Sequence, residues 1–132
     1  MKAKLAAVLA AGVMAGVPLL AGTASATVDN GVCEADEFCV FRQIDYDWAA
    51  DFKASDTHYY NNSYPLHSSY LVNDSVSSVW NRNPCAVVLY SDDGGTGDYV
   101  GFLSGGYASD LRDVTVNGHD FNNLASGHSI AC

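Results

Sequence analysis

The sequence predicts an all-β domain, and three observations support this prediction. Short runs rich in β-branched and aromatic residues alternate with clusters of Gly, Asn, Asp and Ser, as strands do when tight turns join them. No segment keeps apolar residues at spacings of three and four over three helical turns. The order of runs and turns also repeats once, so the chain reads as two similar halves. Short strands at regular spacing are typical of a β-sandwich or barrel.

The predicted strands occupy equivalent places in the two halves. Each half opens with a Cys and a strand ending in an aromatic residue, passes through a polar or Gly-rich turn, and closes on an Asn/Asp-Ser turn before a last strand. Each four-strand unit would have an apolar face that only the other can cover. We expect the halves to span about residues 33–83 and 85–132, joined by the segment Asn81 to Pro84. The predicted strands are residues 38–41, 70–72, 78–80, 86–90, 98–103, 113–116 and 128–131.

The first 26 residues have the composition of a secretory signal peptide. Two lysines precede an almost wholly apolar stretch, and Ala24-Ser25-Ala26 offers small residues for cleavage. A membrane anchor is the alternative, but the apolar stretch is short and is interrupted by glycine and proline. We therefore expect a signal peptide over residues 1–26, a single domain over residues 27–132, and a secreted protein that does not enter a membrane after cleavage.

The charge balance excludes one class of partner. The chain has 15 acidic and 6 basic residues, with a formal net charge of −9, and two of the basic residues belong to the predicted leader. Binding to nucleic acid or anionic lipid requires Lys and Arg to neutralise phosphate. Nucleic-acid binding is therefore excluded, whereas cation binding, or simply solubility, suits this surface.

The four cysteines predict two disulfides, as an even number does in a small exported domain. Three pairings are possible. We favour Cys33–Cys39 and Cys85–Cys132, because the first two are close in sequence and the second pair would tie the C-terminus to the middle of the chain. A zinc site is the alternative, but the chain has no Cys-x-x-Cys or His-x3-His spacing to support it.

An oxygen-rich segment precedes the third predicted strand. Its side chains offer the carboxylate, amide and hydroxyl oxygens that a hard cation such as Ca²⁺ prefers. The same residue types also bond their own backbone and cap tight turns. From these residues alone a capped turn is the favoured interpretation. The residues are Asn73, Asp74, Ser75, Ser77 and Ser78.

This organisation resembles the βγ-crystallin fold, in which two Greek-key motifs form one domain. The calcium signature of that family is Asn/Asp-Asn/Asp-x-x-Ser/Thr-Ser, placed just before the fourth strand of a motif. Residues 73–78 (Asn-Asp-Ser-Val-Ser-Ser) match it at every constrained position. Residues 122–127 (Asn-Asn-Leu-Ala-Ser-Gly) match the first five positions and have Gly at the sixth. The resemblance implies one all-β domain built from two Greek keys.

The family also has an aromatic-x4-aromatic-x-Gly hairpin between the first two strands of each motif. In the first half, Phe41 and Tyr46 supply both aromatic residues, but Trp48 replaces the glycine. In the second half, Tyr90 and the final Gly97 are present, but a glycine replaces the second aromatic residue. Each hairpin therefore departs from the family pattern at one position.

The resemblance implies calcium sites that pair the signature loop of one motif with the hairpin of the other. The family often has an acid directly after the first aromatic residue, where this chain has Arg42 and Ser91. Other hairpin acids (Asp45, Asp92 or Asp93) would have to compensate. The first candidate site comprises Asn73, Asp74, Ser75, Ser77, Ser78 and Asp92, and a weaker second site comprises Asn122, Asn123, Ser126 and Asp45. If one site binds calcium, we expect it at the complete signature.

Within this superfamily, the leader, the cysteines and the phrase Ser-Ser-Val-Trp-Asn-Arg at residues 77–82 are similar to small secreted actinobacterial proteins. These form a βγ-crystallin-like peptidase inhibitor family whose prototype blocks metalloproteinases. The resemblance implies a non-enzymatic monomer that blocks an extracellular peptidase by inserting a rigid loop, whose pre-organisation keeps affinity high. The sequence does not locate that loop, because the short bridged segment from Cys33 to Cys39 is acidic and has no counterpart in the second half.

Two further hypotheses accompany this one. A calcium-stabilised extracellular module with an unknown partner is the main alternative, and a hydrolase is a distant third, because no catalytic motif is present in the sequence.

The loop formed by residues 59–69 contains several tyrosines, which suit either a partner-binding surface or plain packing.

Overall fold

The computed structural model describes residues 28–132, so the predicted signal peptide lies outside the described part of the chain. Residues 28–132 form short strands and two 3-10 turns, and no α-helix occurs among them. The strands are β1 (Phe38–Gln43), β2 (Asp47–Phe52), β3 (Ser63–Tyr64), β4 (His67–Leu71), β5 (Ser78–Asn81), β6 (Ala86–Asp92), β7 (Thr96–Phe102), β8 (Tyr107–Ala108), β9 (Thr115–Val116), β10 (His119–Asp120) and β11 (Gly127–Ala131). The 3-10 turns are Tyr59–Asn61 and Leu111–Asp113.

Within the described range, no helix has the length and apolar character needed to cross a bilayer.

Two antiparallel sheets form the body of the domain. One has the strand order β2-β1-β5-β8 and the other the order β11-β6-β7, and two-stranded ladders β3–β4 and β9–β10 lie outside them. In each main sheet the first strand of a half pairs with both the second and the last strand of that half. This architecture confirms the all-β prediction.

Each half contributes backbone to the sheet of the other. Strand β8 belongs to the second half but pairs with β5 of the first, with Trp80 opposite Tyr107. In the reverse direction, Asp56 follows the first two strands and forms a bridge with His128 of β11 through two backbone hydrogen bonds of 3.1 and 2.7 Å. Each half therefore completes its sheet edge with a residue or strand from the other.

The main core lies between the two sheets, and the buried Val88 and Tyr90 form a separate small cluster. Alternate residues of the strands point inward, as a pleated strand requires, and loop residues close the ends of the core. The fully buried members with large side chains include Phe38, Val40, Phe52, Tyr59, Tyr64, Val72, Leu89, Phe102, Leu111 and Phe121.

Two disulfides brace the domain. Cys33 is bonded to Cys39 at the start of β1, and Cys85 to Cys132 beside β6 and β11. Their Cα–Cα distances are 5.8 and 4.9 Å, within the usual range for a disulfide. This is the pairing that we favoured from the sequence, and both disulfides fit an oxidising compartment.

The segment joining the halves is held rigidly by one side chain. The buried Asn81 amide donates from Nδ2 to the carbonyl oxygens of Cys85, Phe102 and Leu103, at 2.9 to 3.1 Å. Its Oδ1 accepts from the amide of Asn83 at 3.0 Å. The junction is thus a fixed part of the domain that connects both sheets.

Candidate functional site

The turn between β1 and β2, residues 43–48, has an unusual backbone and is named hairpin 1 below. Asp45, Tyr46 and Trp48 have φ angles of 60°, 66° and 64°. This left-handed region is costly for residues other than glycine, by about 1–2 kcal/mol each. Three such residues in one short turn persist only where the surroundings impose the conformation.

Hydrogen bonds from the rest of the domain hold hairpin 1. The buried hydroxyl of Ser78 donates to the carbonyl of Gln43 at 2.7 Å and accepts from the amide of Tyr46 at 3.1 Å. The amide of Asp45 donates to the carbonyl of Ser109 at 2.9 Å. The last serine of the complete signature thus serves as a brace for hairpin 1.

Aromatic packing adds to this support. The ring of Tyr46 meets Phe41 edge-on, at a centroid distance of 5.5 Å, and lies 5.9 Å from the ring of Trp80. Burial raises the pKa of the Tyr46 phenol. The side chain of Ile44, at the tip of hairpin 1, is 40% exposed. The turn is rigid at its base and presents an apolar residue to solvent.

Beside hairpin 1 lies a partly exposed surface that we name the aromatic patch, formed by Arg42, Trp48, Leu66, His67 and Tyr70. The Trp48 indole stacks on the His67 ring at 3.5 Å and 8°. Tyr70 meets it edge-on at 5.3 Å, and the Arg42 guanidinium lies 4.6 Å from the centre of the Tyr70 ring. Tyr70 and Leu66 are 44% and 68% exposed. Trp48 stands where the family pattern has a glycine. A glycine there would contribute no side chain, so the patch depends on this departure from the pattern.

The equivalent turn between β6 and β7, named hairpin 2, contains the glycines that hairpin 1 lacks. Gly94, Gly95 and Gly97 have φ angles of 81°, 74° and 82°. A Cβ on Gly97 would come within 2.5 Å of the Ser91 hydroxyl and 2.6 Å of the Asp92 carboxyl carbon. Hairpin 2 adopts its conformation without strain, in contrast to hairpin 1.

The two signature loops, one from each half, contact each other. Asp74 donates its amide to the carbonyl of Ala125 at 3.0 Å, and its carboxylate accepts from the Ser126 hydroxyl at 3.2 Å. By the same pattern, Asn123 donates its amide to the carbonyl of Val76 at 2.9 Å, and its side-chain oxygen lies 3.5 Å from the Ser77 hydroxyl. The second residue of each signature therefore meets the fifth residue of the other.

The remaining predicted ligands lie elsewhere. The Ser75 hydroxyl donates to the carbonyls of Leu71 and Val72 at 2.8 and 2.9 Å. Asn73 is half-buried in the signature loop, and Asp45 is in hairpin 1. The side-chain oxygen of Asn122 is buried without a hydrogen-bond partner. The structure thus brings together Asp74, Asp92 and Ser126, which the sequence assigned to two different sites.

These three residues line an open depression, named the acidic groove, together with Ser91, Asp93, Asp98, His119, Asn123 and Leu124. The Ser126 hydroxyl also contacts the carbonyl oxygen of Ser91 at 2.9 Å. The imidazoles of His58 and His119 pair with Asp93 and Asp98 at 2.9 and 3.0 Å. Carboxylate, hydroxyl and backbone carbonyl oxygens form a donor set that fits a hard cation.

Comparison with known structures identifies the class of fold. The chain is similar to a structure described as "Evolution of the eye lens beta-gamma-crystallin domain fold", with 17% identity over 81% of this chain and 97% of the other, and a TM-score of 0.62. It also resembles a βγ-crystallin from an archaeon (17% identity, 74% and 99% covered, TM-score 0.53) and spherulin 3a from Physarum polycephalum (19%, 82% and 95%, 0.54). The domain therefore has the βγ-crystallin fold. No curated protein matches the chain significantly.

The sequence assigns the chain to a family that is more specific than its fold. The model of peptidase inhibitor family I36 matches residues 26–102, which include β1 to β7. The chain belongs to peptidase inhibitor family I36. It is a non-enzymatic protein of an inhibitor family, as the sequence resemblance implied.

Proposed function

We propose that this protein is secreted and inhibits an extracellular peptidase by inserting hairpin 1 into the enzyme's cleft, with the aromatic patch contacting the rim. The observation that carries the proposal is the conformation of hairpin 1, in which three non-glycine residues have positive φ angles. Strain of this kind is concentrated at functional sites. The proposal also rests on membership of an inhibitor family.

Rigidity gives hairpin 1 a physical advantage as an inhibitory element. A flexible loop loses conformational entropy when it enters a cleft, whereas a pre-organised turn has already lost it on folding. Hydrogen bonds from Ser78 and Ser109 hold the base of hairpin 1, and Ile44 projects from its tip. Tryptophan, tyrosine and arginine, all present in the aromatic patch, are the residues that dominate binding energy at interfaces.

Titration of one metallopeptidase and one serine peptidase with the purified protein tests the proposal. We expect stoichiometric loss of activity for one of the two enzymes. Ile44→Asp should weaken that inhibition about 30-fold or more, since a central interface residue contributes about 2 kcal/mol or more. Trp48→Gly should also weaken it. The melting temperature should fall less than the lost stacking on His67 alone would cause, because the positive φ suits glycine.

Leu103→Asp is the matched control. Leu103 is an aliphatic side chain with 52% exposure, and it lies near Asn81, at the end of β5 opposite to hairpin 1. This variant should inhibit as the parent protein does. Full activity of both peptidases at stoichiometric protein would contradict the proposal of inhibition, and equal inhibition by the two aspartate variants would exclude hairpin 1 as the contact.

A second function is favoured by the acidic groove, where Asp74 and Ser126 from different halves meet beside Asp92. We propose that Asp74, Asp92, Ser126 and the carbonyl of Ser91 bind a structural calcium ion. The corresponding place beside hairpin 1 has Arg42 after the first aromatic residue, and a fixed positive charge disfavours a cation there. The ion would join the two halves.

Thermal melts with calcium and with chelator test this second proposal. Calcium at a hundredfold excess over its dissociation constant should add about 2.7 kcal/mol to the free energy of unfolding. Asp92→Asn should reduce that gain, whereas Asp47→Asn, an exposed acid in hairpin 1, should leave it unchanged. If millimolar calcium left the melting temperatures of both the parent protein and Asp47→Asn unchanged, the proposal would be contradicted.

A further inference from the structure

Three carboxylates meet at the end of the first sheet that lies away from Ser78 and its signature loop, where the N-terminal segment crosses the end of the β1–β2 ladder. Oxygens of Asp29, Glu37 and Asp51 all lie within 4.8 Å of one another. The Glu37 and Asp51 side chains are fully buried. Of the described residues 28–132, this is the group of three metal-ligating side chains that converges most closely.

Backbone contacts, rather than flexible side chains, set the position of this cluster. The Asp51 carboxylate accepts from the amides of Asn30 and Gly31 at 3.2 and 2.8 Å, and the Asp29 amide donates to the Asp51 carbonyl at 2.9 Å. The N-terminal segment is therefore wrapped around the Asp51 side chain.

Glu37 is held from the other side. It precedes β1 within the loop closed by the Cys33–Cys39 disulfide, and its Oε1 accepts from the amide of Glu34 at 2.8 Å. Its carbonyl accepts from the amide of Arg82 at 2.8 Å. The carboxylate therefore cannot turn out to solvent without breaking the hydrogen bond from Glu34.

One oxygen of the cluster has no hydrogen bond. Glu37 Oε2 is buried without a hydrogen-bond partner, because its ion pair with Lys53 Nζ, at 3.7 Å, is too long for a hydrogen bond. The ammonium of Lys53 binds the exposed Asp29 instead, at 3.1 Å, and its side chain is 64% exposed. Burial raises the pKa of Glu37, and the nearby Asp51 and Glu34 charges add to that rise. An ionised carboxylate left this way is costly.

We propose that Asp29, Glu37 and Asp51 form a calcium site, which Lys53 neutralises when the ion is absent. Calcium binds oxygen at about 2.4 Å, so two oxygens sharing one ion are at most about 4.8 Å apart. The cluster meets that limit. The absence of His and Cys from it favours a hard cation over zinc or copper. A bound ion would give Glu37 Oε2 the close partner that it lacks.

The site is independent of the acidic groove and would have a different effect. It joins the N-terminal segment to the Cys33–Cys39 loop and to β2, all within the first half. Gly31 lies against Leu66 of the aromatic patch, since a Cβ at Gly31 would be 3.0 Å from the leucine Cγ. Calcium binding here would therefore stabilise the N-terminal segment beside the aromatic patch.

Calorimetric titration with CaCl₂ tests the site, using Asp92→Asn as the background in order to suppress binding in the acidic groove. We expect one calcium ion to bind the Asp92→Asn variant. Adding Glu37→Gln should weaken the binding at least 30-fold, and adding Lys53→Met should tighten it about 10-fold, because the competing ammonium is gone.

Glu34→Gln is the matched control. Glu34 is an acid of the same disulfide loop, but its carboxylate accepts from the Asn30 side chain rather than joining the cluster. Because it acts on the cluster only through its charge, calcium affinity should fall far less than with Glu37→Gln. Melts in chelator should show Glu37→Gln at least as stable as its parent, since it removes a buried charge that only the distant Lys53 ammonium offsets. Should that variant unfold, Asp29→Asn, at the exposed ligand, gives the same test. Absence of binding in the Asp92→Asn background, or unchanged binding after Glu37→Gln, would overturn the proposal.

Discussion

Replacing Asn81 with leucine is expected to destabilise the domain by about 3–5 kcal/mol. Leucine has nearly the same size but donates no hydrogen bond, so the carbonyls of Cys85, Phe102 and Leu103 would lose their shared donor. A buried polar group left unsatisfied costs about 1–3 kcal/mol. Chemical denaturation at neutral pH measures the change in unfolding free energy.

Asn61→Leu provides the comparison for Asn81→Leu. Asn61 is exposed at the end of the first 3-10 turn, and surface substitutions usually change stability by no more than about 0.5 kcal/mol. If Asn81→Leu cost as little as Asn61→Leu, the junction between the halves would not depend on this side chain. Since whole domains have only about 5–15 kcal/mol of stability, the expected loss would bring the protein close to unfolding.

The second large effect is acid destabilisation through His128. Burial lowers the pKa of His128 to about 3, against an ordinary value of 6.5, although a hydrogen bond to the Ala54 carbonyl opposes this. That carbonyl can only accept, so Nε2 carries the proton and Nδ1 accepts from the Tyr59 hydroxyl at 2.8 Å. Rings of Phe38 and Phe52 pack against the imidazole, each at 4.8 Å. The neutral form is therefore built into the core.

Between pH 6.5 and pH 3 the unfolded chain binds a proton at His128 that the folded chain does not. The unfolding free energy should therefore fall as the pH is lowered through this window, by about 3 kcal/mol between pH 7 and pH 4. Denaturation at several pH values, compared with His128→Gln, isolates this contribution from the carboxylates. The variant should be less stable at pH 7 but should lose less on acidification. Parallel pH profiles of the unfolding free energy for the parent protein and His128→Gln would show that His128 does not cause the acid destabilisation.

The strands that the sequence predicted are those with continuous β-branched or aromatic residues, such as β6. Strand β2 was not predicted, because alanines and aspartates dominate Asp47–Phe52 and two of its buried residues are Ala50 and Asp51. Asp51 is buried because it accepts backbone hydrogen bonds from a distant segment. Strands β3, β8 and β10 have two residues each and are too short to show a period.

The candidate sites were predictable only where they lie within one loop. The signature located Asp74 and Ser126, but their mutual contact is between halves, and no spacing in the sequence contains it. Trp48 was noticed only as a departure from the family hairpin. Its stacking on His67 depends on the packing of two separate loops. The Asp29, Glu37 and Asp51 cluster has no sequence motif, because its members come from the N-terminal segment, the disulfide loop and β2.

The exchange of backbone between the halves also governs when this chain can fold. The first sheet needs Tyr107–Ala108, and the second needs both Gly127–Ala131 and the bridge to Asp56. A polypeptide that emerges from the ribosome N-terminus first cannot finish the first sheet until residue 108 is free, or the second sheet until its final residues are free. Long-range pairing of this kind slows folding. We expect structure to form late and in one cooperative step, with the Cys85–Cys132 disulfide closing only after the last residue is free.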